Sequence, residues 1–206
     1  NAVDILHNIA KNNQFDLNGR KAVVIGGGNV AVDVARSAKR CGAEILGMYC
    51  LESKGEMPAS EEEIFETEDE GIEIINGWGP KEILTENGKV KGIVLKKCVS
   101  VKDADGKFNP VYDEAETVTV ACDAVYLSIG QSIDWGTLID DENMELGRGN
   151  APVADPLTYQ TSVEDIFVGG DVYTGPKFAI DAIAAGKEGA ESIHRFVHYN
   201  ASLTIG

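Results

Sequence analysis

The sequence predicts an α/β fold, in which a parallel sheet is joined by an antiparallel β-meander. Two observations carry this prediction. Up to residue 75, short β-branched runs alternate with helix-like segments, a pattern typical of parallel strands joined by right-handed crossovers. After Trp78, strand-like runs follow one another with no helix between them, which favours antiparallel pairing. A long helix-like segment, residues 177–197, follows near the end of the chain.

The elements of the first part follow from hydrophobic periodicity and from stop signals. Apolar side chains at helical spacing predict a first helix over residues 2–11, which we expect to continue from an upstream part of a longer protein. The next helix ends before Gly42, and Ser60 with Glu63 forms a capping box for a helix that Gly71 ends. The parallel strands are predicted over 20–25, 44–50 and 72–75, and the helices between them over 29–41 and 60–71.

The second part contains the predicted meander. Asn87-Gly88 favours a tight hairpin turn. We assign four strands to the meander: 81–85, 89–100, 116–121 and 123–129. Residues 136–160 are rich in loop-forming residues, and a last buried strand is predicted over 165–168.

Composition and charge exclude several classes of partner. The chain has 206 residues and a formal charge of −16, from 34 acidic and 18 basic side chains. Such a surface repels nucleic-acid phosphates and anionic lipid, so we expect neither nucleic acid nor a membrane as a partner. The four cysteines form no Cys-x-x-Cys pair, which argues against an iron–sulfur cluster, zinc or a redox dithiol within this chain. Reduced thiols favour a cytoplasmic location.

The glycines after the first strand predict a dinucleotide site. Their spacing is Gly26-x-Gly28-x-x-Ala31, between a strand and a helix. Gly26 allows a tight turn, Gly28 lets the backbone approach a pyrophosphate, and Ala31 permits close packing of helix on strand. The free amides at the helix start favour phosphate charge. The alternative is a glycine-rich turn of an ordinary α/β fold.

Glu52 bears on the choice of nucleotide. It lies about 20 residues after the glycines, near the end of the second strand, where a carboxylate accepts hydrogen bonds from the adenosine ribose. A 2′-phosphate would call for arginine here, and none occurs between Tyr49 and Ser53. We therefore favour NAD(H) over NADP(H). A surface glutamate at a strand end is the alternative.

A second carboxylate follows the buried run TSVEDIFVGGD. Gly169-Gly170-Asp171 would place Asp171 at the carboxyl edge of a sheet, where ligands bind in open α/β folds. Asp171 would then accept hydrogen bonds from a polyol such as a ribityl chain. Equally, it would cap the turn that follows.

Five segments carry a resemblance to a known family: GGGNVAVDVARSA, EMPASEEE, LSIGQ, TSVEDIFVGGDVYTGP and AIAAGKEGAESI. From about Gly19 to Val197 the chain resembles the FAD-dependent pyridine nucleotide–disulfide oxidoreductase superfamily. Its branch is typified by the small subunit of glutamate synthase and related electron-bifurcating flavoproteins. The Glu56-Met57-Pro58-Ala59 and Ile129-Gly130-Gln131 stretches are the more branch-specific ones.

The resemblance implies two Rossmann-like domains, with the pyridine-nucleotide domain inserted into the FAD domain. Residues 1–18 would be a linker helix, 19–135 the NAD(P)-binding domain, and 136–206 the C-terminal strand and helix of the FAD domain. The resemblance places the nicotinamide half beside Gly130 and Gln131, the ribityl chain at Gly170-Asp171, and the isoalloxazine ring near residues 175–180. Together with Glu52, which is inferred from its spacing alone, the full set of candidate cofactor residues is Gly26, Gly27, Gly28, Asn29, Val30, Ala31, Glu52, Gly130, Gln131, Gly170, Asp171, Lys177, Phe178 and Ala179.

The chain departs from this branch in two ways. The second strand of the branch usually ends in Tyr-Arg-Arg, whose arginines recognise the NADPH 2′-phosphate, whereas this chain has Tyr49-Cys50-Leu51. The family also carries a glycine fingerprint for FAD and an iron–sulfur segment upstream of the region matched here. We therefore expect this chain to be a piece of a longer flavoprotein, without stable FAD and inactive on its own.

The implied function is hydride transfer between NAD(P)H and FAD, with electrons leaving toward an iron–sulfur centre or partner subunit. Such transfer depends on orientation of the cofactors, so we nominate no catalytic acid, base or nucleophile. The alternative is a self-contained NAD-binding or sensing module with no redox role.

Three further patterns are given no functional role. Residues 103–114 have the acids of a calcium loop but Phe108 where that loop needs glycine, and we expect an exposed turn. His194 and His198 are one helical turn apart without an evident third metal ligand. Asn200-Ala201-Ser202 fits a glycosylation sequon without a secretory context.

Overall fold

The structure is a computed structural model that describes residues 1–11, 15–140 and 143–199. The chain divides into two compact units, and the boundary along the sequence lies between Gly130 and Gln131. The domain boundaries expected after residues 18 and 135 stay predictions. Among the described helices, none has both the length and the apolar character that crossing a membrane requires.

The first unit is built on a four-stranded parallel sheet in the order β3-β2-β1-β7. Its strands are β1 (Lys21–Ile25), β2 (Glu44–Cys50), β3 (Ile74–Asn76) and β7 (Ala124–Leu127). The helices of this unit are α1 (Ala2–Lys11), α2 (Asn29–Arg40) and α3 (Glu61–Asp69). These elements confirm the predicted alternation of strands and helices over residues 2–76.

The core of the parallel sheet explains why these strands are apolar throughout. Ala22 and Val24 of β1 pack with the buried face of α2, whereas Val23 and Ile25 pack with Ile93 of the neighbouring sheet. Both faces of β1 are therefore covered, the usual situation for parallel strands.

A three-stranded antiparallel sheet forms the meander, in the order β4-β5-β6. Its strands are β4 (Trp78–Glu86), β5 (Lys89–Lys102) and β6 (Phe108–Val120). Asn87 and Gly88 have φ angles of 50° and 73°, which confirms the predicted hairpin turn. β6 starts at Phe108, earlier than the predicted strand, after an exposed turn at 103–107.

The assignment of residues 123–129 to the meander is wrong. β7 pairs in parallel with β1, with Val125 opposite Val23 and Leu127 opposite Ile25. Asp123 fixes the start of this pairing, since its amide donates to the Lys21 carbonyl at 2.7 Å. A short run that is apolar on both faces belongs to a doubly covered parallel sheet, whereas meander strands expose one face.

The second unit contains turns, two helices and isolated bridges. Helix α5 (Ala179–Tyr199) confirms the predicted C-terminal helix, and a short helix that was not predicted, α4 (Asp171–Thr174), precedes it. The buried strand predicted over 165–168 is wrong: Phe167 makes an isolated bridge to Gln160, and residues 166–168 are half-buried. Within the described residues this bridge is the only pairing of residues 165–168, and a β-strand needs consecutive paired residues. The loop-rich character predicted for 136–160 is confirmed for its described residues by turns, bridges and one short 3-10 helix, Arg148–Asn150.

Candidate functional site

The three consecutive glycines after β1 satisfy three different constraints. Gly26 has a φ of 141°, and a Cβ on it would lie 2.3 Å from the Ser128 carbonyl oxygen. A Cβ on Gly27 would lie 2.8 Å from Oε2 of Glu52. A Cβ on Gly28 would have no atom of the described residues within 4 Å. Gly26 is therefore required by the protein's own packing. A side chain on Gly27 would displace Glu52 and lie 3.0 Å from Cβ of Cys50, whereas the space beside Gly28 is open.

The open glycine stands at the start of a helix. Gly28 is the N-cap residue of α2, and its carbonyl accepts hydrogen bonds from the amides of Ala31 (2.9 Å) and Val32 (3.3 Å). The first amides of an α-helix have no partner within the helix, and here they belong to Asn29 and Val30, both exposed. Ala31 is fully buried against the sheet. This combination of amides, dipole and open backbone suits a phosphate group.

A second loop supports the glycine loop. The Ala59 amide donates to the Gly27 carbonyl at 3.0 Å, and the Ser60 amide donates to Oδ1 of Asn29 at 3.0 Å. Ser60 also caps α3, because its hydroxyl accepts from the Glu63 amide at 3.3 Å, which confirms the first half of the predicted capping box. The second half is replaced, since the Glu63 carboxylate accepts from Arg36 at 3.2 Å. Sequence reasoning used Glu56-Met57-Pro58-Ala59 only as a family marker and missed this supporting role.

Glu52 lies against the glycine loop, at the end of β2. Its backbone carbonyl accepts a hydrogen bond from Nδ2 of Asn76 at 2.9 Å, and the Cys50 thiol donates to the same oxygen at 3.7 Å. Burial, with a further contribution from the Glu52 charge, raises the pKa of Cys50 to about 12, so this thiol is neutral at pH 7. The strand end that carries Glu52 is thus held by two neutral donors.

Sequence reasoning missed Asn76. The signal that would have found it is a polar side chain at the carboxyl end of a parallel strand, the rule applied to Glu52 and Asp171. The boundary of β3 was predicted one residue too early, at Ile75. Asn76 was therefore left outside the sheet.

A cavity of about 230 Å³ opens beside the ends of β2 and β3. Its described lining contains no lysine or arginine. The lining residues are Leu51, Ser53, Glu56, Asn76, Gly77, Cys98, Val99, Ser100 and Val101. The end of the sheet that holds Glu52 therefore offers hydroxyl, amide and carboxylate groups to a ligand.

The end of β7 reaches the same edge of the parallel sheet. The Ser128 carbonyl packs against Gly26, and Gly130 follows with a φ of 100° and an exposed backbone. Gly130 is the last residue of the first unit and the exposed Gln131 is the first of the second. Their assignment to the nicotinamide half stays a prediction.

The second unit contains the other candidate residues. Oδ1 of Asp171 accepts from the Lys177 amide at 3.3 Å, so Asp171 does make the turn contact of the simpler interpretation. Gly170 has a φ of 68° and packs against Ala182 of α5. Phe178 and Ala179 are exposed at the start of α5. Ribityl binding by Asp171 stays a prediction.

The remaining patterns have structural explanations. Oδ1 of Asp103 accepts from the amides of Asp105 and Lys107, both at 3.0 Å, which confirms an exposed turn. The ring centroids of His194 and His198 are 4.5 Å apart. Within the described ranges, no group of three or more acidic, cysteine or histidine side chains is arranged to hold a metal ion. The sequon at 200–202 lies outside the described residues.

Comparison with known proteins identifies the family. The family model for pyridine nucleotide-disulphide oxidoreductase matches residues 2–186, which is most of the chain. The chain belongs to this family. The resemblance inferred from the sequence motifs is thus confirmed.

The relatives of this oxidoreductase-family chain include subunits of larger enzymes. The β subunit of NADP(+)-dependent formate dehydrogenase from Moorella thermoacetica is 36% identical over 88% of this chain and 26% of that protein. The glutamate synthase [NADPH] small chain from Azospirillum brasilense is 29% identical over 95% of this chain and 41% of that protein. The NAD-dependent dihydropyrimidine dehydrogenase subunit PreT from Escherichia coli O157:H7 is 32% identical over 95% of this chain and 42% of that protein. The chain therefore spans less than half of these relatives.

Solved structures confirm the fold. Thioredoxin reductase from Lactococcus lactis superimposes with a TM-score of 0.70 over 92% of this chain and 56% of that one, at 22% identity. Thioredoxin reductase from T. acidophilum gives a TM-score of 0.67 over 87% of this chain.

Proposed function

We propose that this chain is the pyridine-nucleotide-binding part of a flavoprotein oxidoreductase, and that its glycine loop binds NAD(H). The observation that carries the proposal is the open space at Gly28, beside the free amides of Asn29 and Val30. Gly26 is explained by protein packing, but among the described residues no neighbouring atom excludes a side chain at position 28, where glycine is only a favourable N-cap residue. A ligand that approaches the backbone closely supplies the reason.

Glu52 supports NAD(H) as the preferred nucleotide. A carboxylate beside the glycine loop accepts hydrogen bonds from two ribose hydroxyls, but it repels a 2′-phosphate. Cys50 and Leu51 stand where the branch has its arginines, and Leu51 lines the cavity next to Glu52. The names of the relatives include both NADP and NAD, so the preference rests on these residues of the chain.

The full protein would pass a hydride between the nicotinamide and FAD, and the flavin would relay electrons to an iron–sulfur centre or partner subunit. The support is the family match and relatives that are named as subunits of larger enzymes. The residues of this chain would bind and orient the pyridine nucleotide, and Asp171 would bind the ribityl chain of FAD. We propose residues 19–135 as the NAD(P)-binding domain and 136–206 as part of the FAD domain. The free thiols support a cytoplasmic location.

Calorimetric titration of the purified chain with NADH, NADPH and FAD tests this proposal. We expect weak or moderate binding of NADH, weaker binding of NADPH, and a colourless protein that does not retain FAD. Failure to bind either pyridine nucleotide would contradict the assignment of the glycine loop. A yellow protein with one equivalent of flavin would contradict the assignment of residues 136–206 as an incomplete flavin site.

A further inference from the structure

We propose that Asn76 is a positioning residue that sets the nucleotide preference of this site by holding Glu52 against the glycine loop. This inference rests on the proposed function. Asn76 ends β3 and is paired with Cys50 in the parallel ladder, so its side chain stands beside the end of β2. From there Nδ2 reaches the Glu52 carbonyl at 2.9 Å and Sγ of Cys50 at 3.2 Å.

The contact fixes the backbone of Glu52 and leaves its carboxylate free for a ligand. A side-chain amide that holds a backbone carbonyl does not compete for the carboxylate oxygens. Oε2 of Glu52 instead lies where a side chain on Gly27 would stand, 2.8 Å from the Cβ position. The carboxylate is therefore presented at the glycine loop by an anchor on the next strand.

A fixed carboxylate discriminates more strongly than a mobile one. On a free strand end, Glu52 would turn away from a 2′-phosphate and lose only its ribose contacts. With the carbonyl held, the Glu52 backbone cannot move away without breaking the Asn76 hydrogen bond, so only rotation of the side chain remains. A carboxylate that stays places two negative charges side by side. Loss of the Asn76 hydrogen bond should therefore weaken NADH binding and strengthen NADPH binding.

The test is a double-mutant cycle on the full chain, with dissociation constants for NADH and NADPH from calorimetry. The cycle combines Glu52→Gln with Asn76→Ala, and its readout is the ratio of the two dissociation constants. Asn76→Ala should reduce the preference for NADH by about 3- to 10-fold, a range typical for one hydrogen bond. In the Glu52→Gln background, the same substitution should leave the ratio unchanged.

Two further variants control for misfolding and for a nonspecific effect of side-chain truncation. Asn76→Leu keeps a similar side-chain size but removes both donor hydrogens without adding a charge, so it should reduce the preference as much as Asn76→Ala does, even where Asn76→Ala folds poorly. Asn18→Ala makes the same truncation just before β1, at the opposite edge of the sheet, and should leave the ratio unchanged.

Equal weakening of both nucleotides by Asn76→Ala and Asn76→Leu would overturn the proposal, because it would mark a purely structural role. An undiminished effect in the Glu52→Gln background would overturn it as well. Failure of the unmodified chain to bind either nucleotide is a different result, since it would remove the proposed function together with this inference.

Discussion

Alanine substitutions at Gly26 and Gly28 separate the packing role of the glycine loop from its ligand role. The two residues are two positions apart in one fingerprint, yet their surroundings differ. A methyl group at Gly26 collides with a backbone carbonyl at 2.3 Å, whereas a methyl group at Gly28 meets no atom within 4 Å in the part of the chain that the structure describes. We therefore expect Gly26→Ala to reduce folding stability and Gly28→Ala to reduce nucleotide affinity.

The cost of each substitution in stability follows from the backbone angles. At Gly26 the φ of 141° disfavours alanine by about 1–3 kcal/mol. Displacing the Ser128 carbonyl adds a similar amount, so the total loss should be about 3 kcal/mol or more. At Gly28 the φ of −95° suits any residue. The entropic gain of about 0.4–1 kcal/mol there is offset by the poorer N-cap character of alanine, so the net change should be within about 0.5 kcal/mol.

The effect of Gly28→Ala on binding comes from the space that the new methyl group takes. That space is the approach to the first amides of α2. A pyrophosphate held away from these amides loses part of its charge-assisted hydrogen bonding, each such bond being worth roughly 1.5–3 kcal/mol. We expect NADH affinity to fall by about 10-fold or more.

Two tryptophans make the assay specific for the first unit. The chain has two tryptophans, Trp78 in the first unit and Trp135 in the second. In a Trp135→Phe background, urea unfolding followed by fluorescence reports on Trp78, which packs beside the core of the parallel sheet. Calorimetry with NADH on the Trp135→Phe parent and on its Gly26→Ala and Gly28→Ala variants then gives the three affinities.

Binding of NADH by Gly28→Ala as tight as that of its parent would refute a ligand role for the space beside Gly28. A urea midpoint lowered as much by Gly28→Ala as by Gly26→Ala would refute the different packing of the two glycines. In the first case the open space is not the ligand approach, and in the second the structural difference between the two glycines is wrong.

Three further predictions concern stability and reactivity. Ser60→Ala removes the cap of α3 and should cost about 1 kcal/mol in urea unfolding, whereas Ser60→Thr should retain most of it. Hydrogen bonding to Arg40 lowers the pKa of Glu70 below the ordinary value of 4.5, so its stabilising contribution, under about 1 kcal/mol, is present above that value and is lost as the pH falls through the lowered pKa. Glu70→Gln should therefore flatten the acid limb of a stability–pH curve. Burial raises the pKa of Cys50 to about 12, so iodoacetamide at pH 8 should label the half-buried Cys41 first, and mass spectrometry should find Cys50 labelled only after unfolding.

The sequence was most informative where a local pattern has a single physical meaning. Asn87-Gly88 requires two positive φ angles, and the chain has them there. Ser60 with Glu63 located the start of α3, because a serine followed three residues later by glutamate is a signature of a helix N-terminus. Periodicity located β2 to the residue, as Glu44–Cys50. These features depend on neighbours along the chain, which the sequence contains.

Pairing between distant segments was harder to predict. Residues 123–129 were placed in the meander because no helix precedes them, but β7 joins β1, about a hundred residues earlier, in the parallel sheet. The run predicted over 165–168 has the composition of a strand, yet within the described residues Phe167 bridges only to Gln160. A strand is completed by its partners, and partner choice is a property of the whole fold.

The sequence by itself determined the class of the fold, the position of the glycine loop and its family, because spacing along a strand, turn and helix is local information. Only the tertiary structure decided what each glycine is for. Gly26 makes room for the end of β7, Gly27 makes room for Glu52, and Gly28 alone faces open space. It also revealed Asn76, whose hydrogen bond to Glu52 joins neighbouring strands. Such contacts are made between segments far apart in the chain, so a pattern along it can name a candidate such as Asn76 but not the atoms that the candidate contacts.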